Sequence, residues 1–583
     1  MKKLNEVLFA LLRQNQQYFT DNGELLKNSV YEDAMKMDPT LIKLLLSDDV
    51  CKANFFTEVD GVLVFDKVGF GWVINNRQFL PDSYTRYKNK IGLTNGAGDF
   101  ISSSNEVVLS FPYKDCVLEG GQSKEDQKRE EIFYNETLAP EEVDRLLYPK
   151  VFIGAKRYTK DCIEENITFN ENDNLIIKGN NLLAIASILR KYENRVNCIY
   201  IDPPFNTGND SFNYNDKFTR STWLVFMKNR LFMAKKLLAE TGNIFIHIDI
   251  NQSHYLKVLC DEIFGSDNFV EEIIWSYGSP SGGRAATPKP VNIHDYILHY
   301  SKHYSSRKQL RVYTPYTQKY IDDWFKYADE DGRRYQRRQR GKDKDGNAIW
   351  EKQYLDESKG VPLTTVWNDI KQVYADPRAY KSGVTVDVEV IKEFSGGQKP
   401  ESLIQRIFNM CTTAGDLVLD FHLGTGTTAA VAHKMGLRYI GCEQIDSQIE
   451  IILERLQKVI GGETAGISKE VDWKRGGSFV YCELAQRNQK FVEAIQQAES
   501  DEQLASVWAK MRESGFISSY VNPSEINPNA EDFSALSFDD KKRLFIALLD
   551  KNMLFVNYCD IDDESFEVSD DDKAFTRSFY KES

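Results

Sequence analysis

Over residues 1 to about 55 the apolar positions recur at helical spacing, as in Val7, Leu8, Leu11 and Leu12 and again in Leu41, Leu44 and Leu45, which predicts short helices. From Val62 to about Leu118 the pattern changes to short apolar runs broken by Gly and Asn, which predicts strands and turns. Residues 161–303 then alternate the two periods. Runs at 175–177, 198–201 and 244–249 read as strands, the first two apolar and of the buried type, and helices are predicted over 183–192 and 223–238. The same alternation resumes after residue 396, with an apolar helix through Leu403, Ile404, Ile407 and Phe408 and a strand at 416–421. A helix over 428–435, closed by Gly436, and a strand at 439–442 follow. Repeated strand-then-helix units build an open, doubly wound sheet, so the fold class is α/β. The expected partition is an α+β module at 1–160, a first core part at 161–303, an inserted region at 304–395, a second core part at 396–462 and an acidic, mostly helical region at 463–583.

The 583 residues suffice for several domains, and an apolar content of 42% supports real cores. A net charge of -14 argues against a surface that coats nucleic acid at large, so such contact has to come from a local basic patch. The run GRRYQRRQRGKDKDGN is one, holding Arg333, Arg334, Arg337, Arg338 and Arg340 with Tyr335 between them. It reads either as a solvated face or as a DNA contact; arginines that clasp phosphates or read guanine edges favour the second. No apolar run reaches the length of a membrane span, and the N-terminus turns polar too soon for a signal peptide. The nine cysteines are scattered without a CxxC pair, which fits reduced thiols in a cytoplasm and gives no zinc framework. His294, His299 and His303 match no common zinc spacing, and no metal is assigned.

Two clusters carry chemistry. The run at 198–201 stops at Asp202-Pro203-Pro204-Phe205, where two prolines force the chain out of the sheet. A carboxylate, a carbonyl and an aromatic ring thus stand at the carboxyl end of a strand, where open α/β sheets bind ligands. Two acceptors could hold the N–H groups of a planar amine such as adenine N6 or cytosine N4, while Phe205 stacks on the base. A rigid turn alone is the plainer reading. The second cluster begins at Lys399-Pro400-Glu401 and continues through Asp420, Phe421, His422, Gly424, Gly426 and Thr427 to Glu443. Glycines at a strand-to-helix turn let a cofactor approach the backbone, and an acid at the end of the next strand suits ribose hydroxyls. Spacing alone does not exclude a nicotinamide dinucleotide. Asp249 either lines the same crevice or is a satisfied turn aspartate.

The tetrad DPPF resembles motif IV of the nucleic-acid amino-methyltransferases, (D/N/S)PP(Y/F/W), and its extension NTGND…YND resembles the Mod subunits of Type III restriction–modification systems, as does FPYKDCVLEGGQ. DLVLDFHLGTGTT resembles motif I, written FxGxG, with His422 standing where the phenylalanine would be, and KPE resembles motif X. Motif IV before motif I is the permuted order of the β-group. The resemblance covers most of residues 60–460. It implies a Rossmann-like, S-adenosylmethionine-dependent methyltransferase sheet and DNA adenine-N6 methylation on a flipped base. Asp202, Pro203, Pro204 and Phe205 would be catalytic. Lys399, Pro400, Glu401, Asp420, Phe421, His422, Gly424, Gly426, Thr427 and Glu443 would hold the cofactor. The family carries its target-recognition region between the motifs, here with Arg333, Arg334, Arg337, Arg338 and Arg340 toward double-stranded DNA. It also implies a Mod homodimer and a separate Res subunit with helicase and nuclease activities, consistent with the lack of a P-loop in this sequence. Cytosine-N4 methylation and a recognition-only DNA-binding subunit are the alternatives.

Overall fold

The computed structural model describes residues 4–59 (except 21, 22 and 24), 61–74, 117–119, 132–134, 147–207, 219–277, 290–373, 398–517, 535–550 and 553–581. Its centre is an eleven-stranded sheet. In spatial order the strands are Val366–Trp367, Phe269–Ser276, His294–Ser301, Leu238–Ile248, Val196–Ile201, Leu417–Asp420, Arg438–Glu443, Leu175–Lys178, Ser478–Leu484, Phe152–Thr159 and Ile163–Glu164. The six strands from Leu238–Ile248 to Ser478–Leu484 run parallel. His294–Ser301 on one side and Phe152–Thr159 on the other pair with this block antiparallel.

Both faces of the parallel block are covered, and the side-chain alternation shows how. Ile199 and Ile201 share a core with the helices Asn181–Tyr192, Arg220–Leu237 and Ser253–Phe264, whereas Cys198 and Tyr200 share one with Glu401–Cys411, Thr427–Lys434 and Asp446–Gly461. A strand buried on both faces has to be apolar throughout, which is why 198–201 reads as an unbroken run. From Leu417–Asp420 the chain crosses to Arg438–Glu443 on one side, while from Val196–Ile201 it crosses to Leu238–Ile248 on the other. The two starting strands are neighbours. Their carboxyl ends therefore form a topological switch point, where such sheets leave a crevice. The expected α/β class and permuted order are both found.

Three local expectations need correction. Residues 67–74 form a helix, Lys67–Ile74, and not strands; Asp66 Oδ1 accepts from Gly69 N at 2.9 Å, and Phe70 and Ile74 join the apolar core of the N-terminal helices. The strand expected from 244 begins six residues earlier, at Leu238, because the preceding helix passes straight into it. The described elements of residues 463–583 are mostly helices, but they do not stand apart from the core: Ser478–Leu484 is an internal strand of the sheet, and helix Asp570–Tyr580 packs on the sheet's flank, Thr576 Oγ1 donating to Phe152 O at 2.8 Å. The acidic run before that helix is its start, with Ser569 capping Asp572 N and three aspartates in the first turn. Strands are found at Val117–Glu119 and Ile132–Tyr134, but most of FPYKDCVLEGGQ, residues 208–216 of NTGND…YND, and the loop at 278–283 lie outside the described residues.

The N-terminal helices Leu4–Leu12, Lys27–Met35, Pro39–Leu46 and Asp49–Phe55 enclose their own core. They dock on the end of Asn181–Tyr192, where Arg190 pairs with Glu32 and Asp33, and Asn28 N donates to Glu193 Oε2 at 3.2 Å. Among the described residues no helix is long and apolar enough to cross a membrane.

Candidate active site

The chain leaves Val196–Ile201 at Asp202 and extends through Pro203, Pro204 and Phe205. Trp223, fully buried on the following helix, donates its indole N–H to Pro204 O at 2.7 Å and so pins the turn from behind. Lys399 Nζ donates to Asp202 Oδ2 at 2.6 Å and lies 4.9 Å from the centre of the Phe205 ring. Asp202 Oδ1 is buried without a hydrogen-bond partner among the described residues. Phe205 lies against His247, with ring centres 5.8 Å apart and planes at 17°. His247 is itself fixed, 3.1 Å from the Tyr200 hydroxyl at Nδ1 and 3.1 Å from Asp295 Oδ2 at Nε2. Burial, then the Lys399 charge, lowers the pKa of His247. A neutral ring that donates to Asp295 and accepts from Tyr200 satisfies all three groups.

The neighbouring strand Leu417–Asp420 ends at a buried carboxylate. Asp420 Oδ2 accepts from Thr428 Oγ1 at 2.6 Å and Oδ1 from His422 N at 2.9 Å, which ties the glycine turn to the helix behind it. Burial pushes Asp420 up to about 7. Gly424 and Gly426 have φ of 56° and 80°, the left-handed region that side chains disfavour. A Cβ on Gly426 would also press on Ile452 at 3.2 Å. Glu443 closes the site from the next strand, its carboxylate accepting from Gly424 N at 2.9 Å, Gln444 N at 2.8 Å and Ile445 N at 3.1 Å. His422 is held well below its ordinary pKa by burial and the nearby Arg230, and its Nε2 is buried without a partner.

Asp202, Pro204, Lys399, Asp420, Phe421, His422, Gly424, Thr427 and Glu443 line one cavity of about 730 Å³. That volume lies within the range of small-molecule sites. Pro203, Phe205, Pro400, Glu401 and Gly426 stand outside its lining. Glu401 is engaged elsewhere, accepting from Lys434 Nζ at 2.9 Å, Arg455 Nη2 at 3.0 Å and Ile467 N at 3.0 Å, so it braces the start of its helix. Sequence reasoning missed Trp223, His247 and the pair Asn181–Arg230. Asn181 Nδ2 donates to Phe421 O at 2.8 Å while Arg230 Nε donates to Asn181 Oδ1 at 2.7 Å, linking the strand-to-helix turn at 179–181 with the one at 421–426. A buried tryptophan always raises the question of what its N–H bonds, and that was the one available signal.

The expected basic run occupies the strand Arg334–Lys342, which pairs with Tyr327–Ala328 and Ala348–Tyr354. None of its arginines lines the cavity. Arg333 pairs with Asp356 and Glu357, Arg334 with Asp322, and Arg340 with Glu351. Arg337 lies 4.7 Å over the Tyr327 ring, and neither it nor Arg338 has an ion pair among the described residues. Asp249 follows Leu238–Ile248 and does not line the cavity; its carboxylate accepts from Asn251 N at 2.9 Å. The three histidines are placed apart, His294 against Tyr296, His299 between Asn243 and Glu271, and His303 on Glu240.

Comparison with known proteins bears on the family of the chain. A family model described as DNA methylase matches residues 196–454, which span both clusters, and one described as Type III restriction/modification enzyme methylation subunit matches residues 38–93. The probable Type III restriction-modification enzyme HindVI Mod subunit of Haemophilus influenzae is 33% identical over 99% of this chain and 98% of its own length. The EcoP15I Mod subunit of Escherichia coli is 36% identical over 27% of this chain and 28% of its own. The Type II methyltransferase M.KpnI of Klebsiella pneumoniae is 28% identical over 28% and 40%. With a relative of that identity matched from end to end, the chain belongs to the Mod subunits, the DNA-methylating components of Type III restriction–modification enzymes.

Proposed function

We propose that this chain methylates the N6 amine of adenine in double-stranded DNA, on a base rotated out of the stack, with S-adenosylmethionine as donor. The observation that carries the reading is that Asp202 and Pro204 of the proline turn and the Gly424–Glu443 cradle line one cavity at the switch point of the sheet. The residues fit such a cofactor. Glu443 lines the cavity at the end of the strand beside the glycine turn, where an acid suits ribose hydroxyls, and His422 Nε2 is a buried polar atom of a lining residue with no partner among the described residues. When bound, the cofactor supplies a methyl group on a positively charged sulfur. Asp202 and the Pro-Pro turn then hold the amine with its lone pair toward that methyl, and Phe205 stacks on the base. Trp223 and His247 keep turn and ring in register, so the rate gain comes from positioning. Unpairing and flipping cost a few kcal/mol, offset by the stacking and the hydrogen bonds. Arg337 and Arg338, which have no ion pair among the described residues, are the best placed of the basic run to meet phosphates. A homodimer and a Res partner complete the reading, as the family implies.

Long-read, kinetics-based sequencing of DNA from cells expressing this chain tests it. N6-methyladenine at one short motif is the expected outcome. N4-methylcytosine, or no modified base from protein that binds the cofactor, would overturn it.

A further inference from the structure

Lys399 belongs by resemblance with the cofactor contacts, yet its ammonium is spent elsewhere. It donates to Asp202 Oδ2 at 2.6 Å and lies 4.9 Å from the centre of the Phe205 ring. These are the two groups that hold the amine and the face of the target base in the reading above. The pair is largely enclosed, with 11% of the Lys399 side chain and 22% of Asp202 exposed. Asp202 Oδ1 is buried and has no partner among the described residues. As the site stands, an arriving amine thus finds one carboxylate oxygen bonded and the other closed off. Phe205 cannot easily withdraw, because it rests on His247, which Tyr200 and Asp295 fix from both sides. The flexible lysine stem is the part that can move.

We propose that Lys399 is a stand-in for the target amine. It occupies the amine's place on Asp202 and Phe205 while the site is empty, and it withdraws when a flipped base enters. The proposal rests on the assignment of Asp202 and Phe205 to the base. An ammonium is a charged donor and a base amine a neutral one, so entry exchanges one hydrogen-bonded state of Asp202 for another. The amine by itself then adds little to affinity, and stacking of the ring drives entry. The same exchange helps the product leave. A methylated amine keeps a single N–H, so it competes with the lysine less well than the substrate does. Lys399 is on this view a positioning residue whose removal makes binding tighter at the amine.

The test uses the full chain, S-adenosylhomocysteine to prevent turnover, and duplexes carrying its own recognition sequence. The target position holds either adenine or purine, which lacks the exocyclic amine. The quantity read is the ratio of the two dissociation constants. In Lys399→Met, where Asp202 has no resident donor, preference for adenine over purine rises roughly tenfold relative to the unsubstituted protein, the scale of a hydrogen bond to a charged group. Lys399→Arg retains a cation on Asp202 and keeps the original ratio. An unchanged ratio in Lys399→Met, with or without weakened S-adenosylhomocysteine binding, overturns the proposal, as does a ratio raised equally by Lys399→Arg. A mere loss of packing would weaken both duplexes alike and leave the ratio where it was. The underlying base-binding reading is checked separately with 2-aminopurine at the target position. If its fluorescence does not rise on binding the unsubstituted protein, that reading fails, and the stand-in role fails with it. If it rises while the ratio stays flat, only the role of Lys399 is lost.

Discussion

Asp202→Ala removes the carboxylate proposed to hold the amine, and methylation should fall by about 10²–10³-fold or more, as when a preorganised polar contact is deleted elsewhere. Calorimetric affinity for S-adenosylmethionine should change little, since Glu443 and the glycine turn stay in place; undiminished turnover would refute the role. Trp223→Phe is milder. It leaves the Pro204 carbonyl without its 2.7 Å donor, costing about 1–2 kcal/mol of stability and loosening the turn, so kcat should drop while cofactor affinity holds. Asp202, Phe205, Gly424 and Glu443 stood out in the chain because prolines, glycines and a strand-ending acid are local signals. Trp223 and His247 did not, because what makes them matter is contact across the fold: His247 comes under Phe205 only once Leu238–Ile248 pairs with Val196–Ile201.

At the level of elements, two docked pieces invite measurement. Glu193, at the end of helix Asn181–Tyr192, accepts from Asn28 N on the N-terminal module, and burial pushes it up to about 7. A carboxyl whose folded value exceeds its unfolded one is protonated in the fold across a window where the unfolded chain is not. Its contribution therefore falls as pH rises from about 4.5 toward 7 and is level beyond. Glu193→Gln keeps an acceptor for Asn28 and removes the charge; stability at pH 8 should rise by about 1–3 kcal/mol, and denaturant melts between pH 5 and 8 would show the slope flattened. The other piece is the ribbon of Arg334–Lys342 and Ala348–Tyr354. Arg338→Ala should weaken DNA binding uniformly and lower the salt slope by about one, whereas Arg333→Ala should act mainly on the fold of the ribbon through Asp356. A run of arginines is conspicuous in sequence, but which of them are already paired depends on Asp356, Glu357 and Glu351 across the turn, and only the fold shows that.

For the whole molecule, the helical and sheet periods revealed the class, and the order of the two motifs revealed the permutation. What stayed hidden was one internal strand of the sheet. Ser478–Leu484 is set off by the turn at Gly476-Gly477, but nothing local assigns it to this sheet, and its insertion beside Leu175–Lys178 is decided by tertiary pairing. A chain ended at residue 462 would lose that internal strand and the helix that bonds to Phe152, and its sheet should show no cooperative melt and no cofactor binding; a fragment that binds the cofactor would contradict this topology. The arrangement also sets a timetable. Leu175–Lys178 has both its neighbours, Arg438–Glu443 and Ser478–Leu484, far downstream, and Phe152 waits for Thr576. At about 5–20 residues per second of synthesis, the N-terminal helices can fold within seconds of emerging, while the sheet is held open for most of the time the ribosome takes over the chain. Copies that stop short of Ser478 therefore lack a strand of the sheet that carries the site, and the proposed modification should begin only with molecules made beyond it.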